Sequence, residues 1–132
     1  MIEAYSTELA VTAAQGPVTF SNKNTKGYSV ILASDNQTFN INLPGVYKID
    51  VSATGNVTAG GTLSLQLYAN GTAVARAQGQ AVTGAEENQN VAFSTFITVS
   101  PAAAGNQASI TVNYTGGAGT LLLVDANITK VG

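Results

Sequence analysis

The stretch FNINLPGVYKIDVSA, residues 39–53, decides the fold of this chain. In its second half Tyr47, Ile49 and Val51 alternate with polar residues, which is the period of two expected of a half-buried antiparallel strand. The dipeptide Pro44-Gly45 interrupts the pattern, because proline fixes φ for the first central position of a type II turn and glycine can take the positive φ needed next. We therefore expect two strands joined by a type II Pro-Gly corner.

The rest of the chain is also typical of strands, because no segment keeps a period of 3.6 and Gly, Thr and Asn interrupt every apolar run. Strands are expected within 2–13, 18–20, 28–33, 38–43, 62–78, 91–99, 108–114 and 120–130, with polar loops at 21–27, 80–90 and 101–106. We predict an all-β fold, a two-sheet antiparallel sandwich of about ten strands in one domain, 1–132.

The composition excludes several classes of partner. Only 9 % of the 132 residues are charged and the net charge is −2, so the chain has no basic field for nucleic acid or an anionic membrane. No run approaches the roughly 18 apolar residues of a membrane span, and the first residues, MIEAYSTELA, do not resemble a secretory signal. The absence of cysteine excludes disulfides and thiolate chemistry.

The residues that commonly carry catalysis are scarce. There is no histidine and no cysteine, and acids such as Asp50 and Asp125 fall in separate elements, whereas a glycosidase needs two carboxylates across a cleft. We predict that the protein is not an enzyme and has no catalytic residue, metal site or cofactor. A hydrolase or lyase built on a β-sandwich is the alternative. Lys48 and Asp50, two apart on one strand face, are expected to pair on the surface or across an interface, and a solvated pair would be worth under about 1 kcal/mol.

The hairpin at 62–78 allows two registers. A two-residue type I′ turn at Asn70-Gly71 would pair Leu65 with Arg76 and so place a charge on the leucine face. A three-residue loop, 69–71, with Gly71 in the left-handed position of a bulge, would turn Arg76 toward solvent. Because burial of the leucines should dominate, we predict the second register, a positive φ at Gly71 and an exposed Arg76.

The closing strand, 120–130, has two apolar faces. Leu122, Val124, Ala126 and Ile128 share the face expected in the core, while Leu121 and Leu123 lie on the other. Phe96 likewise falls on the face of the 91–99 strand that points away from the core. A soluble monomer rarely exposes such a patch, so we predict that Phe96, Leu121 and Leu123 form an interface between copies of the chain.

The spacing of the central motif resembles that of a known superfamily. Its residues are Leu32, Phe39, Gly45, Tyr47, Ile49 and Val51, and their spacing is similar to the aromatic signature of the tumour necrosis factor and complement globular-head proteins. The resemblance implies a jelly roll that assembles as a homotrimer, with the sheet of the first, corner and last strands facing the three-fold axis. The aliphatic last strand, LLLVDANITK, departs from the aromatic-rich strand of that superfamily.

A second resemblance is carried by short motifs along the chain: MIEA at the start, GVYKIDVSA, LQLYANG, and ITK near the end. They are similar to segments of small virion proteins of tailed bacteriophages that infect Gram-positive gut bacteria. This implies a structural role in the virion, as a head decoration or fibre that contacts other virion proteins. The alternative is a trimeric recognition head that binds a receptor or cell-surface glycan through loops 21–27 and 80–90.

Overall fold

The computed structural model describes residues 1–100 and 108–132, and these residues form eleven strands. The strands are β1 (Ile2–Val11), β2 (Gly16–Pro17), β3 (Asn22–Thr25), β4 (Val30–Leu32), β5 (Thr38–Ile41), β6 (Gly45–Val57), β7 (Gly61–Ala69), β8 (Thr72–Thr83), β9 (Gln89–Val99), β10 (Ala108–Tyr114) and β11 (Gly119–Lys130). The loop expected at 101–106 lies outside the described residues. Within the described ranges, no helix is long and apolar enough to cross a membrane.

The strands form two antiparallel sheets packed face to face. One has the order β3-β1-β11-β6-β9 and the other the order β4-β5-β10-β7-β8, with β2 paired to β10. Neighbouring strands are mostly distant in sequence, and the last strand, β11, lies between β1 and β6. This confirms the prediction of an all-β antiparallel sandwich in the jelly-roll arrangement.

The core lies between the two sheets and is filled by alternate residues of each strand. On β6 the side chains of Tyr47, Ile49 and Val51 are buried, and Leu32 and Phe39 from the other sheet are buried as well. The ring centroids of Phe20 and Phe39 are 5.4 Å apart in a tilted arrangement, within the range that aromatic pairs prefer. The motif that organises the sequence therefore lies in the centre of the core.

The Pro44-Gly45 corner joins the two sheets, since β5 and β6 belong to different ones. Gly45 has a φ of 147°, far from the roughly +80° of a type II turn, and it is already paired with Val99 as the first residue of β6. The predicted type II turn is therefore wrong. The corner is fixed instead by Tyr47, whose hydroxyl donates a hydrogen bond of 2.7 Å to the carbonyl oxygen of Leu43.

Several predicted boundaries differ from the structure. The polar segment 21–27 contains β3, an exposed edge strand, and the loop expected at 80–90 shrinks to 84–88 because β8 and β9 are longer than predicted. Residues 18–20 form no strand, although Val18 and Phe20 are buried. The polar edge strand has no hydrophobic pattern, since it buries none of its four residues.

The β7–β8 hairpin adopts neither predicted register. Asn70 and Gly71 have φ values of 51° and 79°, and Ala69 pairs with Thr72, so the turn is the two-residue type I′ that the prediction rejected. Farther along, Gln66 pairs with Gln78 after a bulge in β8. Gly71 has the predicted positive φ and Arg76 is exposed, as predicted. The bulge within β8, and not the turn, therefore determines which side chains of β8 face the core.

The side chain of Gln66 fills this bulge. Its amide nitrogen lies 2.7 Å from the carbonyl oxygen of Val74 and 3.1 Å from those of Leu67 and Ala77. A primary amide has two hydrogens, so one of them is shared between two acceptors. Gln66 thereby donates hydrogen bonds to carbonyl groups around the bulge, where the ladder between β7 and β8 is interrupted. The bulge also buries Ala77 and turns Arg76 outward.

Replacing Gly71 with alanine should lower the free energy of unfolding by about 1 kcal/mol, because a Cβ atom is unfavourable at a φ of 79°. No heavy atom would lie within 4 Å of that Cβ, so the cost is one of backbone conformation and not of packing. Urea denaturation measures it. Gly71→Asn is the control and should recover most of the loss, since asparagine tolerates the left-handed region. Equal destabilisation by the two substitutions would contradict this explanation.

Candidate functional site

The face of the β3-β1-β11-β6-β9 sheet that points away from the core is the candidate site, and we call it the open face. Strand register arranges its side chains in rows. One row is Glu3, Asn127, Asp50 and Ser94; the next is Tyr5, Asp125, Ser52 and Ala92; the flanking rows are Thr7, Leu123, Thr54 and Asn90 on one side and Thr129, Lys48 and Phe96 on the other. All of these side chains are exposed or half-buried.

Large apolar side chains are exposed on this face. Phe96 is 55 % exposed and Leu123 is 42 % exposed, which places both on the surface where an interface was predicted. Leu122 is 36 % exposed as well. The backbone of Phe96 is held from the opposite sheet, because Nη2 of Arg76 donates a hydrogen bond of 2.9 Å to its carbonyl oxygen.

Leu121 does not belong to this group, and its predicted place on the interface is wrong. Its exposed fraction is 0 %, so it lies entirely in the core of the subunit. The reason is a bulge in β11, where Leu121 pairs with Gly55 but Leu123 pairs with the adjacent Thr54. The extra residue changes the parity, so Leu121 and Val124 both point inward while Leu122 points outward, against the predicted core position of Leu122.

A shallow hollow lies on the open face where its side chains are small. Ser52, Ala92 and Ser94 form its floor together with parts of Asp50 and Asn127, and its volume is about 340 Å³. The hollow lies beside Phe96, which protrudes from the same strand as Ala92 and Ser94. On the open face a protruding apolar side chain, that of Phe96, therefore lies next to a recess. Protein interfaces pack by such shape complementarity.

The charges of the open face form two groups. Lys48 and Asp50 pair as predicted at 3.8 Å, with both side chains about half exposed, so the pair is worth under about 1 kcal/mol. Glu3 and Asp125 lie on neighbouring strands in adjacent rows. The amide of Asn127 donates a hydrogen bond of 3.3 Å to the Asp125 carboxyl group.

The pKa of the Asp125 carboxyl group is raised to about 6, mainly by burial among these neighbours and in smaller part by hydrogen bonding and charge repulsion from Glu3. The Asn127 amide acts against this increase. The sequence alone did not reveal the pair of Glu3 and Asp125, because the two acids are far apart along the chain. The alternation of Glu3 with Tyr5, and of Asp125 with Asn127, would have placed both on one face once β1 and β11 were known to be neighbours.

The acids of residues 1–100 and 108–132 form no cluster that could bind a metal ion. No group of three or more acids, histidines or cysteines lies close enough to hold a metal ion there. Asp50, one of the acids of the alternative enzyme hypothesis, is paired to Lys48, and Asp125 shares its surroundings with Glu3.

Comparison of the sequence with known proteins finds no match to a family model and none to a curated protein. Solved structures, in contrast, match along nearly the whole chain. The globular domain of zebrafish complement 1qA protein has a TM-score of 0.76 at 16 % identity, covering 99 % of this chain and 96 % of that one. Eiger TNF from S. frugiperda has a TM-score of 0.68 at 11 % identity, covering 98 % and 92 %. Murine APRIL has a TM-score of 0.63 at 9 % identity, covering 98 % and 99 %.

These neighbours establish the class of fold. The chain is a jelly roll of the tumour necrosis factor and complement C1q type, as the central motif predicted. At such low identities the likeness shows the fold alone.

Proposed function

We propose that this protein is a non-enzymatic structural component that assembles as a homotrimer through the open face. The observation that carries the proposal is the exposure of Phe96, Leu122 and Leu123 on one sheet face. Leu122 and Leu123 lie toward one end of the face and Phe96 toward the other, with the rows of Ser94 and Ala92 between them, so a partner that covers the face buries all three. Full burial of such a side chain contributes about 1.5–3 kcal/mol, and these side chains would gain the part that corresponds to their exposed fraction. The face carries few charges, as the cores of protein interfaces do.

A closed ring is the arrangement that uses this surface best. Leu123 and the hollow around Ser52 lie at different places on the same face, so Leu123 of one copy can pack into the hollow of the next in a heterologous contact. Heterologous contacts either close into a ring or continue as a filament, and a three-fold ring lets every copy bury the same surface. Three copies, and not another number, are proposed because the fold resembles that of the tumour necrosis factor and complement globular-head proteins, for which a homotrimer is expected.

The biological setting that we propose is the particle of a tailed bacteriophage, where the trimer would decorate the head or form part of a fibre in contact with other virion proteins. The chain would be made in the cytoplasm of the host bacterium and would act in the virion. This part of the proposal rests on the similarity of the short motifs MIEA, GVYKIDVSA, LQLYANG and ITK to those of phage proteins.

Substituting Leu123 with aspartate should dissociate the trimer while the subunit stays folded. Leu123 is 42 % exposed in the subunit, but in the assembly the carboxylate would be buried without a partner. Loss of the burial of the exposed part of the leucine alone should weaken association at least about threefold per interface, and the buried carboxylate adds to this. Light scattering coupled to size exclusion measures the mass, and circular dichroism reports the fold.

Val82→Asp is the matched control, because Val82 is an apolar residue that is 81 % exposed on the other sheet. It should leave the trimer intact. A wild-type protein that is monomeric at micromolar concentration would refute the proposal, and so would equal dissociation by the two variants.

A recognition head is the second candidate, favoured by the polar end of the sandwich. Residues 84–88 are all exposed, and Asn56 and Asn88 are joined by a side-chain hydrogen bond of 3.1 Å. Gln89 donates a hydrogen bond of 2.8 Å to Glu87 in the same region. Such preorganised amide and carboxylate groups suit sugar hydroxyls. Alanine at Glu87 and Asn88 should then abolish glycan or cell binding without changing the trimer mass, whereas unchanged binding would exclude this candidate.

A further inference from the structure

The two acids Glu3 and Asp125 occupy the middle of the surface through which we propose that copies meet. Tyr5 pairs with Asp125 and Glu3 pairs with Asn127, so the two carboxyl groups are diagonal neighbours on adjacent antiparallel strands. Both side chains are half-buried already in the single subunit. A partner on the open face would remove them further from water.

The charged groups around this pair do not neutralise it. From β1 the open face carries Glu3 itself beside Tyr5, and from β6 it carries Asp50 with Lys48. Lys48 is paired with Asp50 at 3.8 Å. The outer strand β9 has no charged residue, and on β3 Lys23 is in register with the inward-facing Ala4. On β11 Lys130 is in register with the inward-facing Tyr47, and its Nζ donates a hydrogen bond of 2.8 Å to the carbonyl oxygen of Gly132. No cation on these five strands is therefore placed to compensate two ionised carboxylates.

The open face of a second copy brings one cation of its own, Lys48, which is again paired with Asp50 of that copy. Two carboxylates held close together in a site of reduced polarity cannot both ionise without a large cost, and a shared proton removes that cost. The two side chains are already half-buried in the subunit, and the Asn127 amide holds the Asp125 carboxyl group by a hydrogen bond.

We propose that the copies associate with one proton shared by Glu3 and Asp125 in each subunit, so that mildly acidic conditions favour the trimer and alkaline conditions weaken it. This inference rests on the proposed homotrimer, and the shared proton regulates assembly through that same interface. The proton is taken from solvent when the interface closes and is returned when it opens.

The direction of the effect follows from proton linkage. The pKa of Asp125 lies at about 6 in the subunit, above its ordinary value, and burial in an interface moves it further upward. The assembled state then binds more protons than the separated subunits near neutral pH. Association is therefore strongest below about pH 5 and weakens as the pH rises through 6 and above.

Sedimentation equilibrium of the full chain at about pH 5 and about pH 8 tests the proposal, at constant ionic strength. For the wild type we expect an association constant at least tenfold higher at the lower pH, the effect of a one-unit difference in pKa. Asp125→Asn keeps the shape and the hydrogen-bonding capacity of the side chain but cannot ionise, so its association should be equally strong at both pH values. Glu86→Gln is the control, because Glu86 is an exposed acid of the 84–88 loop, outside the rows of the open face, and it should respond to pH as the wild type does.

The outcomes separate the two proposals. A trimer whose association constant is the same at both pH values overturns the proton-linked interface and leaves the homotrimer standing. A monomer at all concentrations and both pH values refutes the homotrimer and the linkage with it. An NMR titration of the side-chain carboxyl carbons gives a second test that does not depend on assembly, and titration of Asp125 near its ordinary value would also overturn the inference.

Discussion

Gly119→Ala should lower the free energy of unfolding by at least about 3 kcal/mol, enough to unfold a domain of ordinary stability in part. A Cβ atom at this position would overlap the carbonyl oxygen of Asn56 and would lie 2.9 Å from the Cα atom of Val57. Both of these are backbone atoms, so no side chain can rotate away. Gly119 is paired with Val11 on one side and Val57 on the other, so the strand cannot shift to make room.

Gly84→Ala provides the control for this measurement. Its Cβ would approach only the carboxyl end of Glu87, at 3.1 Å, and that flexible side chain can move. We expect a change within about 0.5 kcal/mol for Gly84→Ala in thermal or urea unfolding. Similar unfolding midpoints for the two variants would show that the contact of β11 with β6 is looser than described.

The second large effect is expected for Gln66→Met, which should cost about 2–4 kcal/mol. Methionine has nearly the same shape as glutamine but donates no hydrogen bond, so the carbonyl groups of Val74 and Ala77 lose their partner within a partly buried bulge. Each unsatisfied buried carbonyl costs about 1–3 kcal/mol. Chemical denaturation followed by circular dichroism measures the loss.

Gln78→Met is the matched control, because Gln78 pairs with Gln66 across the hairpin but makes one exposed hydrogen bond, of 3.1 Å, to Ala75. It should change stability by no more than about 0.5 kcal/mol. If both methionine variants were equally stable, the bulge would not depend on the Gln66 amide.

The sequence was sufficient for those parts of the fold in which one local pattern repeats. Tyr47, Ile49 and Val51 keep a strict alternation along β6, so the strand and its buried face were both predictable. The exposed edge strand β3, Asn22–Thr25, was not, because it buries nothing and its formation depends on pairing with β1. Strands of this kind are defined by tertiary contacts and not by propensity.

The candidate site was likewise predictable where the alternation is unbroken and unpredictable where a bulge interrupts it. Phe96 was placed correctly on the outward side of β9 because the alternation there is unbroken. The prediction placed Leu121 on the surface and Leu122 in the core, which is the reverse of the structure. A bulge in β11 changes the parity, and it leaves no local signal in the sequence. The bulge in β8 misled the prediction of the hairpin in the same way.

The position of β11 between β1 and β6 has a consequence for how the protein reaches its native state. The halves of the five-stranded sheet have no direct pairing with each other, so the sheet stays divided until residues 119–130 have left the ribosome. Closure then requires simultaneous pairing with segments that are far away in sequence, which is the slow kind of folding step because loop-closure entropy is lost before contacts form. Until that moment the unpaired edges of β1 and β6 are open to other chains, so the nascent protein is most vulnerable to aggregation while residues 119–130 are still being synthesised.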